Sequence, residues 1–225
     1  MGKALDVAVL LVAVAVPLLA YRGMFGDLKG GNQPSDSWFS WHPVFMTIAF
    51  PGLMTLGRWS YMTDAGWGVT QKETRRNLHA AFMILGVLSA LVGYLCIFKA
   101  HYPNQQLFGY DFKHHEWKVW SRVAHAWVGY AALLLSLSQA SMGVVKRVYL
   151  SSGQKVLRFH GSLGKGIILL SCIAVLLATY LWMWTLPNKV LLAVPVLLVA
   201  LFCALSTQPV EGREGHESHV PLRTS

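Results

Sequence analysis

The sequence predicts an all-α integral membrane protein, a six-transmembrane helix bundle, from three observations. The 225 residues are 54% hydrophobic and 13% charged, a balance found in membrane proteins and not in soluble domains. A membrane span needs about 20 mainly apolar residues, and six such stretches stand roughly at 5–21, 39–61, 78–99, 120–145, 159–184 and 189–207. All 10 carboxylates fall in loops, tails or span ends, so the interior of every stretch is free of acid.

The first stretch, Leu5 to Tyr21, is a Val/Leu/Ala run with Pro17 and no ligand-type residue, and is expected to pack outside the functional core. Lys3 precedes it as in a signal peptide, but no small-x-small motif follows Leu19-Ala20-Tyr21, so it is kept as a span. Gly30, Gly31 and Pro34 form the turn into the second span. Ser40 is the expected N-cap there, with Pro43 in the first turn, where its missing N–H costs nothing. Arg58, Trp59 and Tyr61 are expected at the far interface, the Arg snorkelling and the rings among headgroups.

Asn77 is the expected cap of the third span. The loop from Ala100 to Val119 holds His101, Tyr110, His114, His115 and Trp117 and is a candidate binding surface. Residues 208–225 are polar without apolar period and are expected to be disordered. The expected partition is 1–36 for the first helix and loop, 37–185 for the core, 186–207 for the sixth helix and 208–225 for the tail.

The net charge of +9 does not imply nucleic acid, because the cations sit between and beside apolar runs, facing lipid headgroups. Six crossings put both termini on one side with 12 of the 19 Lys and Arg, which predicts cytoplasmic termini. Cys96, Cys172 and Cys203 lie within spans and read as small core residues.

Four histidines recur near the starts of consecutive apolar stretches: His42 in Ser40-Trp41-His42-Pro43, then His79, His125 and His160. Successive helices alternate in direction, so His42 and His125 share one membrane face and His79 and His160 the other. Two neutral imidazoles from different helices are what a six-coordinate haem iron requires. Small residues follow each histidine, Ala49 and Gly52, Gly86 and Gly93, Gly129 and Ala132, Gly161 and Gly164, and are expected to clear space for a macrocycle. The reading is therefore a four-helix dihaem core. The lack of acid inside the spans argues against proton relays and divalent-cation transporters, a rival that would rest on loop histidines with His216 and His219.

The segments Phe39-Ser40-Trp41-His42-Pro43-Val44-Phe45-Met46 and Ala124-His125-Ala126-Trp127-Val128-Gly129, with the order of the four histidines, resemble the cytochrome b561 family over about Ser37 to Trp184. The likeness is to short members without a DOMON domain. It implies a protein with two haem b groups that carries electrons across a membrane. The donor implied is cytoplasmic ascorbate and the acceptor monodehydroascorbate or ferric iron as a chelate, so the chain would be a ferrireductase or monodehydroascorbate reductase. It also implies a homodimer. His79 and His160 would hold the cytoplasmic haem, and His42 and His125 the opposite one.

The chain departs from the family at Asn77 and Glu73, where cations are usual, and around Leu56-Gly57, where an acid is usual. Arg75, Arg76, Arg158 and Lys165 are the candidate ascorbate or propionate partners on one face, with Lys99 and Arg122 for propionates on the other. His114 or His115 matches the acceptor-side histidine upstream of the fourth span. A second reading is a haem-containing membrane subunit of a larger respiratory or photosynthetic complex, without independent activity.

Overall fold

The computed structural model describes residues 2–26, 32–61, 69 and 71–206. The Gly30-Gly31 turn and the tail with His216 and His219 lie outside the described residues. Helix α1 (Gly2–Phe25) precedes a broken rod of α2 (Trp38–Thr47), a π-helical segment (Ile48–Met54) and α3 (Thr55–Trp59). Helices α4 (Lys72–His101), α5 (Trp120–Ser151), α6 (His160–Leu181) and α7 (Leu186–Leu205) complete six rods. Among the described residues, five helices are individually long and apolar enough to cross a membrane. The broken rod supplies the sixth crossing. The chain is a helical integral membrane bundle that crosses the membrane several times.

The break in the second rod has a local cause. Pro51 has no N–H to give to the α ladder, so the hydrogen bonds of the segment around it widen from i→i−4 to i→i−5. Helix α2 starts earlier than expected. Ser37 stands at its N-cap position, while Ser40 is buried and donates to Pro34 O at 3.0 Å, so Ser40 ties down the preceding loop and is not the cap. Asn77 is likewise no cap. Helix α4 begins at Lys72, and the Asn77 side chain accepts from Arg147 Nη2 at 2.8 Å. Hydropathy sees only the slab of lipid, so it misses the polar helical turns at Lys72 and near Ser151 that extend beyond the apolar core.

Cross-links fix the faces. Trp59 Nε1 donates to Asp6 Oδ1 at 2.8 Å, and Arg58 binds Ser206, so the start of α1, the end of α3 and the end of α7 share one face, here the tail face. The opposite, loop face carries the α4–α5 connection. Trp59 is buried against Val9 and Arg58 turns inward, so neither sits among headgroups as expected from position alone. Position in a span fixes depth but not which way a side chain points.

The rods form two halves. The second rod packs along α4, and α5 along α6, whereas α4 meets α5 only lightly. Helices α1 and α7 pack together and cover one side, joining the core through Val16 and Met24 of α1 and Val196 and Val199 of α7. Cys96, Cys172 and Cys203 are buried and free, as core residues.

The α4–α5 connection is a small antiparallel sheet of β1 (Gln106–Leu107), β2 (Tyr110–Asp111) and β3 (Glu116–Trp117). Phe108 and Gly109 form its first turn, both at positive φ, as a two-residue hairpin requires. A side chain at Gly109 would also meet Val123 Cα at 2.8 Å, so the turn sits flat on α5. The sheet is centred on Asp111. This buried carboxylate accepts from Lys118 Nζ at 2.8 Å, from Gln106 Nε2 at 3.1 Å and from the backbone N–H groups of Lys113 and His114 at 3.1 Å. The Lys118 ammonium holds the Asp111 carboxyl well below the usual carboxylate range, and Asp111 in turn raises Lys118.

Candidate functional site: two histidine pairs

The seam between the two halves holds the histidines. His42 on α2 and His125 on α5 have ring centroids 6.3 Å apart at an interplanar angle of 89°. His79 on α4 and His160 on α6 are also 6.3 Å apart, at 74°. Two imidazoles on opposite sides of one iron, with roughly 2 Å from nitrogen to metal and roughly 1.15 Å from nitrogen to ring centre, stand about 6.3 Å apart. Both pairs have that spacing.

Edge-on rings at such distances also occur as plain aromatic contacts, so the ring nitrogens matter. His42 Nδ1 lies 2.9 Å from Gly93 O, His79 Nδ1 2.8 Å from Gly57 O, and His125 Nδ1 2.9 Å from Ala174 O. A carbonyl can only accept, so each Nδ1 carries the proton. Each Nε2 therefore keeps its lone pair for a metal, the arrangement of a ligating histidine with its orienting partner. His160 differs. Its Nδ1 is buried without a partner, and Gln139 Nε2 from α5 donates instead to the His160 main-chain oxygen.

Around His42 and His125 lies an apolar cavity of about 370 Å³, reaching from the loop face towards the middle of the bundle. Tyr94, Tyr130, Gly129 and Trp184 contribute to its wall, and the Trp184 indole nitrogen is buried without a partner. The size and apolar character suit a flat organic cofactor. On the tail face, Gly143 lies opposite the His160 ring, an added Cβ there reaching Cε1 at 3.5 Å. Arg76, one helical turn before His79, has a buried Nε without a partner, an unmet donor suited to a carboxylate. The donor sets at both pairs fit haem.

The small residues divide into two uses. Gly129 faces open space beside His125. Gly86, Gly93 and Gly52 do not clear space for a macrocycle. Added carbons would meet Met54 Cγ at 2.9 Å, Met46 Cγ at 3.2 Å, and Thr47 O at 3.2 Å with Ala13 O at 3.5 Å, so these glycines let α4 and α1 approach the second rod. Gly164 faces Gln139, and the Gly161 carbonyl accepts from Arg58.

The predicted cations are distributed unevenly. Arg75 and Arg76 stand on the first turns of α4, and Arg158 is exposed in the loop just before His160. Lys165 is spent elsewhere, donating to Ala204 O in the last turn of α7 at 2.5 Å. On the loop face, Arg122 lines the cavity and Lys99 lies 4.5 Å over the Trp38 ring. His114 and His115 are exposed on the sheet and do not line the cavity, His114 pairing with Asp111 at 3.1 Å. Besides His42 and His125, the histidine that lines it is His101, at the end of α4. Sequence reasoning also missed Arg58, Gln139 and the carbonyls of Gly57, Gly93 and Ala174, and main-chain atoms leave no residue-type signal to find.

Residues 41–185 match the family described as eukaryotic cytochrome b561. No individually curated protein matches the chain.

Proposed function

The chain belongs to the eukaryotic cytochrome b561 family, haem proteins that transfer electrons across membranes, and from this premise we propose that it holds two b haems, one between His42 and His125 and one between His79 and His160. The observation that carries this is the shared 6.3 Å ring separation, with Nδ1 of three of the four rings spent on a carbonyl of another helix. Haem supplies reversible one-electron chemistry at its iron. The chain does the rest: the four imidazoles would hold the two groups, the carbonyls set ring orientation, and the apolar walls exclude water.

The proposed direction is from a donor at the tail face to an acceptor at the loop face. Arg75, Arg76 and Arg158 favour an anionic donor such as ascorbate, and the excess of cations there favours a cytoplasmic tail face. At the other face His101, Arg122 and Lys118 border the cavity and would receive monodehydroascorbate or a ferric chelate. The chain would work in lipid, as a homodimer or within a larger complex.

The deciding measurement is haem per chain on detergent-purified protein, followed by addition of ascorbate in the same cuvette. Two haems, both reduced, are expected. Two haems that ascorbate leaves oxidised would keep the architecture and move the donor elsewhere, as a subunit of a larger assembly would require. No haem would overturn the reading of all four histidines.

A further inference from the structure

Arg58 is an ionised side chain at the tail end of the second rod, half-buried and in no salt bridge among the described residues. Its guanidinium is nevertheless fixed. Nε and Nη2 donate to Ser206 Oγ at 3.1 and 3.0 Å, Nη2 reaches Ser206 O at 3.3 Å, and Nη1 donates to Gly161 O at 3.2 Å. Every acceptor is neutral, so the hydrogen bonds hold the group in place without offsetting its charge.

Its place in the chain puts that charge near His79 and anchors it to the residue after His160. The preceding residue, Gly57, gives its carbonyl to His79 Nδ1, and Gly161, which Arg58 binds, directly follows His160. On the opposite face one of the two cations that line the cavity, Lys118, is paired with Asp111 and Glu116. A positive charge with no counterion among the described residues, in a low-dielectric bundle, disfavours the oxidised, more positive state of a nearby iron centre.

We propose that Arg58 is a positioning residue whose fixed charge raises the reduction potential of the haem held by His79 and His160. This rests on the ligand assignment above. A raised potential at the donor-side centre favours electron uptake, and the bond to Ser206 makes the end of α7 part of the device.

The test is an optical redox titration of the purified haem-loaded protein, comparing wild type with Arg58→Lys, Arg58→Met and Arg58→Gln, with His79→Ala identifying which haem is which. Met and Gln should lower the midpoint of the haem that His79→Ala removes and leave the other unmoved, while Lys keeps most of the wild-type value. An unmoved midpoint in an uncharged variant overturns the proposal. So does a Lys variant that shifts as far as Met or loses haem with it, because packing and not charge would then be what Arg58 supplies. If His79→Ala removes no haem, the ligand assignment itself fails, an outcome distinct from two assigned haems with unmoved midpoints.

Discussion

Gly129 and Gly93 show how the same residue type serves opposite ends. Gly129 faces open space four residues after His125, so Gly129→Phe should fold, fill the cavity and lose one haem, read as a halved haem-to-protein ratio. Gly93 is pressed on Met46 and Phe45, so Gly93→Val should destabilise the bundle by about 1–3 kcal/mol through overpacking, seen as a lower melting temperature in detergent. If Gly129→Phe keeps two haems, the cavity beside His125 is not where the cofactor lies. A sequence shows both glycines at helical spacing after a histidine and gives no way to separate them, because the difference lies in which neighbour each faces. The four histidines were legible because a polar ring in an apolar span stands out, and helix alternation says which of them face each other. Arg58 was misplaced because depth was readable and direction was not.

At the level of elements, the π segment acts as a register shift. One residue advances a helix by about 100°, so deleting Ala49 to restore an α ladder should swing Gly57 O away from His79 and Arg58 away from Gly161. The expected result is loss of the His79/His160 haem with the other retained, and spectra showing both intact would refute it. Pro51 could have announced the break, but a proline in a membrane helix kinks, bulges or does nothing depending on its neighbours. The loop sheet carries its own pH dependence. Because Asp111 is held below the ordinary carboxylate range by Lys118, its contribution is complete above that range and is lost as pH falls through the depressed value. Trp117 fluorescence should therefore stay constant through mild acid and change only below about pH 4. Asp111→Asn should flatten that acid transition and raise hydrogen exchange in residues 106–118 at neutral pH. The sheet was illegible in advance, since strands of two residues have no period to detect.

Over the whole molecule, each histidine pair takes one ring from each half of the bundle, so a haem held as proposed would bridge the seam where α4 and α5 touch only lightly. Haem should thus stabilise the fold by mass action, about 4 kcal/mol when present at 1,000 times its dissociation constant, and the haem-loaded protein should melt well above the haem-free one. Equal melting points would mean that the seam closes without a cofactor. That the chain crosses several times, and that the start of α1 and the end of α7 lie at one face, were readable from apolar run length, whereas the division into halves was not, because it depends on which helix faces meet. Within those halves, imidazole-to-carbonyl bonds run from α2 to α4 and from α4 to α3 in one, and from α5 to α6 in the other. They are made entirely by the polypeptide, so each of these three rings is aimed by its own half of the bundle, and drawing the halves together on a cofactor needs no ring to turn.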